Sequence, residues 1–350
     1  MRSGMPDESR AGPAPRPAER EAVEREYTAL RTSAILVDRG SRARATFTGD
    51  KSADVLTGLF TNDVLALQPG EGQYAAALTP KGKILADLRV FATSDGFLVD
   101  LPGRAAPGWW AMIRKYVNPR LSKYTDVSEA WRDVGVYGSR AREIVSRATG
   151  LPPEALELLP QYGHRRLGAD GDGTLVARVP DLGIEGYELF ATAGAAGALR
   201  DALRAAGAEP ARGEAFDIAR IEAGRPEWGL DIDDTTLAQE ANLDDLGAIS
   251  YTKGCYTGQE TVARVHFRGH VNRHLRGLHF SGSAPPPRGS ALTDAMGRTV
   301  GDVRSTAMSP RLGGIALAMV RHEVEPGGIL TVTGDGIQTS AVVIALPFPL

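Results

Sequence analysis

The only cysteine, Cys255, stands in the run Lys253-Gly254-Cys255-Tyr256-Thr257-Gly258-Gln259-Glu260, two residues after a lysine and flanked by glycines. A thiol reacts as the thiolate, and a cation nearby favours that form. In an extended segment residues two apart share a face, so the spacing expects the Lys253 ammonium beside the Cys255 sulfur. Gly254 and Gly258 ease backbone turns on either side. Together these residues read as an exposed, shaped thiol site. The other reading is a small buried hydrophobe, the commoner state of a free cysteine.

Other side chains with chemical potential lie far apart in the chain. Asp87 follows Gly82-Lys83-Ile84-Leu85-Ala86 on an expected strand, facing either a ligand or solvent. Glu188 closes Gly186-Tyr187-Glu188, and Arg220 opens Arg220-Ile221-Glu222-Ala223-Gly224 at a helix end stopped by Gly and Pro226. Arg220 has a second reading as an intrahelical ion pair with Glu214, Asp217 or Glu222. Thr61-Asn62-Asp63 suits a helix end or turn.

Metal chemistry is expected nowhere. His266, His270 and His274 recur every four residues and, with Cys255, suggest zinc, but they sit among arginines in what reads as strand and turn, where ligands do not converge. From Asp231 the acidic stretch fails as a calcium loop, with Thr236 where glycine and Asn242 where glutamate belong, so it reads as a solvated connector. One cysteine also excludes an internal disulfide and an iron-sulfur cluster held wholly by this chain.

The elements that must position these groups follow from pattern. Lysines and arginines number 40 against 43 acids, a net charge of -3, so nothing global steers the chain to nucleic acid or an anionic membrane. Residues 1–22 read as a disordered tail, no apolar run is long enough to span a bilayer, and a cytoplasmic location is expected. Val55, Leu56 and Leu59 mark a helix over 52–60, and strands over 73–79 and 84–93 read as a hairpin. Helices are also expected near 139–149, 195–206 and 214–223. The stretch from Thr261 through Thr293 contains no acid; its arginines suit an anionic tail, a client surface or a solvated strand. From Leu275 onward short strands broken by Gly and Pro indicate a small antiparallel barrel.

The complete Lys-Gly-Cys-aromatic-x-Gly-Gln-Glu motif resembles the signature of the YgfZ family, folate-binding relatives of the glycine-cleavage T-protein that support iron-sulfur enzymes. The Thr-Asn-Asp, Gly82 to Leu88, Gly186 to Glu188 and Arg220 to Gly224 motifs follow in the same order as in that superfamily. The resemblance implies an α+β fold of two lobes with antiparallel sheets and a C-terminal β-barrel around a central cavity. The lobes would fill 23–270, discontinuous in sequence and split near 130, and the barrel 271–350. It implies tetrahydrofolate held by Glu188, Arg220, Asp87, Tyr74 and Asn62, with Cys255, Lys253 and Gln259 doing thiol chemistry for iron-sulfur client proteins. In the T-protein an acidic pair on the second hairpin strand supplies a carboxylate that acts on a folate nitrogen. Here Ala86 replaces one acid, which argues against the first alternative, an aminomethyl or other one-carbon transferase. The second alternative is a non-catalytic client-binding module using the arginine strip.

Overall fold

The computed structural model describes residues 17–168, 173–282 and 284–349. Its first element, α1 (Pro17–Thr32), corrects part of the expected tail, because residues 17–22 are its opening turns and the rest of that tail lies outside the described residues. Proline suits the first position of a helix, whose N–H has no partner in any case. Tyr27 and Leu30 then bury one side of α1.

After β1 (Ile35–Asp38) come β2 (Ala43–Thr48), α2 (Ser52–Leu59) and the hairpin β3 (Gly72–Leu78) and β4 (Ile84–Thr93). Then follow β5 (Gly96–Leu101), α3 (Ala106–Tyr116) and β6 (Lys123–Asp126). The order β3-β4-β5-β2-β6 makes a five-stranded antiparallel sheet. Side chains alternate across a strand. Accordingly Ala86, Leu88 and Val90 of β4 pack outward against α2 and α3, in a core with Leu56, Trp109 and Ile113. The other face of β4 carries Asp87, Arg89 and Phe91 inward.

The chain continues through β7 (Trp131–Tyr137), α4 (Ala141–Thr149), α5 (Pro153–Glu157), β8 (His164–Arg166), β9 (Leu175–Arg178) and β10 (Gly186–Thr192). It then forms α6 (Ala196–Ala205), β11 (Glu209–Pro210) and α7 (Glu214–Glu222). The second sheet runs β11-β1-β7-β10-β9-β8 and so borrows β1 from the beginning of the chain. Its outer face packs on α4, α5 and α6 through Val136, Leu189, Ile144, Leu156 and Leu203. Its inner face meets the first sheet in the largest core, where Phe91, Leu98, Tyr137, Ala177 and Phe190 gather. Each sheet thus buries both faces, one under helices and one under the other sheet.

A helix, α8 (Gln259–Arg268), replaces the strand and turn expected after the cysteine motif. Gly258, at φ 84, sets the chain to enter the helix, and Val262 supplies its buried contact. The three histidines find different settings as a result. His266 stacks on Tyr251 with centroids 3.6 Å apart, the His270 ring lies 4.5 Å from that of His322 between centroids, and His274 pairs with Val320 in the sheet that follows. The acidic stretch is not a solvated connector either: Asp231 and Glu240 are buried and pair with Arg220 and Arg273.

Strands β12 (Arg273–Phe280), β13 (Ala291–Thr293), β14 (Thr299–Ser309), β15 (Gly313–Arg321), β16 (Ile329–Gly334) and β17 (Ile337–Ile344) close into a barrel. Closure removes the free sheet edges. Leu278, Phe280, Val303 and Val320 fill the inside. Ile221 of α7 packs on Leu275, Ile315 and Phe348, fastening the barrel to the lobes. No helix among the described residues is long and apolar enough to cross a membrane.

Candidate active site in the cleft between the sheets

Strand pairing builds the site. In the first sheet Tyr74 lies opposite Arg89, and Arg89 lies opposite Asp100. Directly opposed residues share a face, so Tyr74, Asp87, Arg89 and Asp100 all point inward. In the second sheet Glu188 sits opposite Gly135. A Cβ on Gly135 would come within 2.4 Å of the Tyr137 ring, so glycine there leaves room for Tyr137 to lie over the strand and reach Glu188. Above this polar floor is a narrow cleft, part of it open to solvent. Tyr74, Asp87 and Arg89 form one wall, and Phe216 and Arg220, four apart on α7, form another. Arg225 closes a further side.

The floor is organised by Arg89, which is 2% exposed. Its Nη2 donates to Asp100 Oδ2 and to Glu188 Oε2, both at 2.5 Å, and its Nη1 reaches Asp181 Oδ2 at 3.2 Å. Glu188 accepts a second bond from the Tyr137 hydroxyl and lies 3.4 Å from Arg39 Nε. Burial pushes Glu188 up, but Arg89 and Arg39 outweigh it and hold the carboxyl well below the usual carboxylate range. Asp133 goes the other way: burial, then repulsion by Glu188, drives it well above that range. The surroundings thus favour the protonated form of Asp133 and the ionised form of Glu188. Asp100, Asp133 and Glu188 come within 4.8 Å of one another, but the guanidinium of Arg89 is already the cation between two of them.

Of the carboxylates lining the cleft, Asp87, Asp181 and Glu227, Asp87 is the one on the first sheet. Tyr74 donates its hydroxyl hydrogen to Asp87 Oδ2 at 2.8 Å, while Asp87 Oδ1 is buried without a partner. Burial raises its pKa against the opposing pull of Arg42 and Tyr74. Such a carboxyl keeps its proton to higher pH than a solvated one.

Residues 6–250 match the family described as the GCVT N-terminal domain, and residues 273–348 match the glycine cleavage T-protein C-terminal barrel domain. The chain belongs to the glycine-cleavage T-protein family. Among its relatives, an aminomethyltransferase of Synechococcus sp. strain RCC307 is 32% identical over 331 residues, covering 94% of this chain and 90% of that protein. The aminomethyltransferase of Nostoc sp. strain PCC 7120 is 29% identical over 342 residues, covering 95% and 89%. The fold is that of the glycine cleavage system aminomethyltransferase T from Bartonella henselae, with a TM-score of 0.84, 24% identity, and coverage of 93% of this chain and 89% of that one.

In this T-protein family member the residues expected from sequence divide in two. Tyr74, Asp87 and Arg220 line the cleft; Glu188 lies beneath it, fully buried, with both oxygens engaged. Arg220 donates to Asp231 Oδ2 at 2.6 Å, to the Arg225 carbonyl at 2.7 Å and to Ser305 Oγ on the barrel at 3.0 Å. Asn62 is a brace, donating through Nδ2 to the carbonyls of Tyr74 and Gly247, each at 2.9 Å.

The cysteine motif is elsewhere, and its lysine does not serve the thiol. The segment bends instead of extending, and the Lys253 ammonium donates to the carbonyls of Thr57 at 2.5 Å, Phe60 at 2.6 Å and Asn62 at 2.9 Å. Three donors meet three acceptors, so no N–H remains for Cys255. Burial lowers the Lys253 pKa to about 8 despite nearby Asp63. Tyr256 is buried beneath the ammonium, whose nitrogen is 4.8 Å from the ring centroid. Gly258 passes so close to the β3–β4 turn that a Cβ would lie 2.6 Å from the Thr79 carbonyl oxygen. Gln259 begins α8, its N–H bonded to the Tyr256 carbonyl at 3.2 Å, and only Gly254, Cys255 and Glu260 of the motif are exposed.

Sequence reasoning missed Arg89, Asp133, Tyr137 and Arg225. Arg89 had one signal: a cation between Leu88 and Val90, two residues after Asp87 and so on the same face of the strand. Its partner Glu188 is 99 residues away, so the pair is invisible to local pattern.

Proposed function

We propose that the chain is a folate-dependent one-carbon transferase, the aminomethyl type being the form its relatives' names favour, with Asp87 as the proton-handling group. The observation that carries this reading is the opposite facing of Ala86 and Asp87. Ala86 points into the outer core with Leu88 and Val90, whereas Asp87 faces the cleft. The alanine therefore takes no acid from the site, and the sequence argument against transfer loses its force. The unpartnered Asp87 Oδ1 and the mixed polar and apolar walls suit a pterin-like ligand.

Tyr74, Asp87 and Arg220 would contact tetrahydrofolate, with Glu188 acting from below through Arg89 and Asn62 through the Tyr74 backbone. The folate supplies ring nitrogens that carry the one-carbon unit. Tyr74 fixes Asp87 by bonding one oxygen, which leaves Oδ1 to hold or release a proton at a ligand nitrogen. Arg89, clamped by Asp100, Asp181 and Glu188, is held to the floor. Phe216 and Pro102 exclude water from the sides.

The test is tetrahydrofolate binding together with methylene-tetrahydrofolate formation from an aminomethyl donor. Asp87→Asn should bind the folate and lose about 10²–10⁴ in turnover, the range for a positioned acid-base group. A wild type that binds no folate, or an Asp87→Asn enzyme that turns over normally, would sink the reading.

A second reading, a YgfZ-type accessory in iron-sulfur cluster assembly or repair for client enzymes, is favoured by the exposure of Cys255 in the complete motif. It predicts that Cys255→Ser abolishes recovery of a client's cluster while folate binding stays intact. Unchanged recovery would leave the transferase reading alone.

A further inference from the structure

Five arginines line the cleft, and four are matched to carboxylates. Arg39 lies 3.4 Å from Glu188, Arg42 2.7 Å from Asp100, Arg89 2.5 Å from both Asp100 and Glu188, and Arg220 2.6 Å from Asp231. Arg225 is the exception. Among the described residues no carboxylate comes within 4.0 Å of it; its guanidinium lies 5.8 Å from the Tyr74 ring centroid, with Tyr162 beside it and Asp181 acting from further away. A half-buried guanidinium without a direct ion pair gives up hydration for only partial compensation.

Tyr162 stands next to it with a second unmet demand. Its ring stacks on Tyr74, centroids 6.2 Å apart, and its hydroxyl is buried without a hydrogen-bond partner. Burial pushes that hydroxyl's pKa up, while Arg225 pulls the other way. Tyr162 also adopts φ 62, a left-handed conformation that costs a bulky side chain energy. The Tyr162 N–H bonded to the Arg178 carbonyl at 2.8 Å pins it there. Strained backbone held by its surroundings is a mark of functional sites.

We propose that Arg225, assisted by the Tyr162 hydroxyl, is an anion anchor that receives a carboxylate of the ligand reacting beside Asp87. A guanidinium offers paired N–H groups that match a carboxylate's two oxygens, and a phenol O–H adds a third donor. The inference rests on the transferase reading for the identity of the ligand. The carboxylate comes either from the glutamyl tail of the folate or from a small amino-acid co-substrate.

Matched pairs of ligands separate the two sources. Tetrahydrofolate and tetrahydropteroate differ by the glutamate, and glycine and glycinamide differ by the carboxylate charge. Binding of all four is measured calorimetrically to wild type, Arg225→Leu, Arg225→Lys and Tyr162→Phe. Arg225→Leu should weaken the carboxylate member of one pair at least tenfold and leave its partner within twofold. Arg225→Lys should restore part of that loss, and Tyr162→Phe should lose several-fold in the same pair. An effect in the first pair assigns the folate tail; an effect in the second assigns a separate substrate. Equal losses within both pairs, no loss in either, or a wild type that fails to prefer the carboxylate member of either pair overturns the anchor. A wild type that binds glycine over glycinamide but no folate removes the folate reading and leaves the anchor standing. Arg225 has no protein carboxylate partner, so its loss should leave the melting temperature near that of wild type.

Discussion

The cysteine motif and the floor of the cleft are both dense in polar residues, yet they use them in opposite ways. In the motif the charge is spent on the backbone: Lys253 ties together the end of α2 and the Thr61-Asn62 turn, and Gly258 lets α8 approach the β3–β4 hairpin. In the cleft the charges hold one another, Arg89 between Asp100 and Glu188, and they leave Asp87 with a free oxygen. A run of ordered residues can therefore mark a family by its scaffold, while the chemistry gathers from strands that no short motif connects.

That contrast can be broken at several points. The largest expected effect is from Arg89→Met. Removing one partner from a buried ion-pair network leaves carboxylates uncompensated, and about 3–5 kcal/mol of stability should be lost. Denaturant unfolding measures it; a loss under 1 kcal/mol would mean the floor is not held by Arg89. Next comes Lys253→Met, which strips three carbonyls of their donor. Hydrogen bonds to charged groups are worth about 1.5–3 kcal/mol, so a loss of that order is expected, together with faster amide exchange over 57–62. If Lys253→Met instead slowed Cys255 alkylation with no change in stability, the lysine would be serving the thiol after all.

A smaller effect, of distinctive sign, is expected at Asp87. Its folded pKa is raised above the unfolded value, chiefly by burial. Its contribution to stability is therefore fully present below the unfolded pKa and is lost as pH rises through the folded one. Asp87→Asn removes that loss, so the variant should melt above wild type near neutral pH and the difference should shrink toward pH 4. The smallest effect belongs to Cys255→Ser, at an exposed thiol that makes no hydrogen bond among the described residues. It should change stability by less than about 0.5 kcal/mol and leave folate-dependent transfer unaltered, which separates the motif from the cleft in a single assay.

The legible part of the molecule is the part that local physics controls. Alternation placed β3 and β4, Gly and Pro punctuation indicated the barrel, and a helical stripe found α2. The resemblance of Gly82 to Leu88 and of Arg220 to Gly224 to family motifs pointed to Asp87 and Arg220, and both line the cleft. Local patterns failed on α8, because the cluster of arginines and histidines masked a helix whose buried contact is Val262. At Arg220 they found half of the answer: the intrahelical partner Asp217 is there at 3.4 Å, while Asp231, eleven positions away, takes the shorter bond at 2.6 Å.

By itself the sequence determined the family order of motifs, the antiparallel α+β class and the residue types available for chemistry, because these depend on neighbours a few positions apart. Only the tertiary structure decided what those residues face. Asp87 looks into the cleft and Ala86 away from it because β4 is covered by helices on one side and by the second sheet on the other. Glu188 sinks beneath the site because Arg89, brought from another strand, neutralises it there. Arg225 is left without a direct ion pair among the described residues for a related reason: Asp181, the carboxylate that acts on it, is bonded to Arg89 instead.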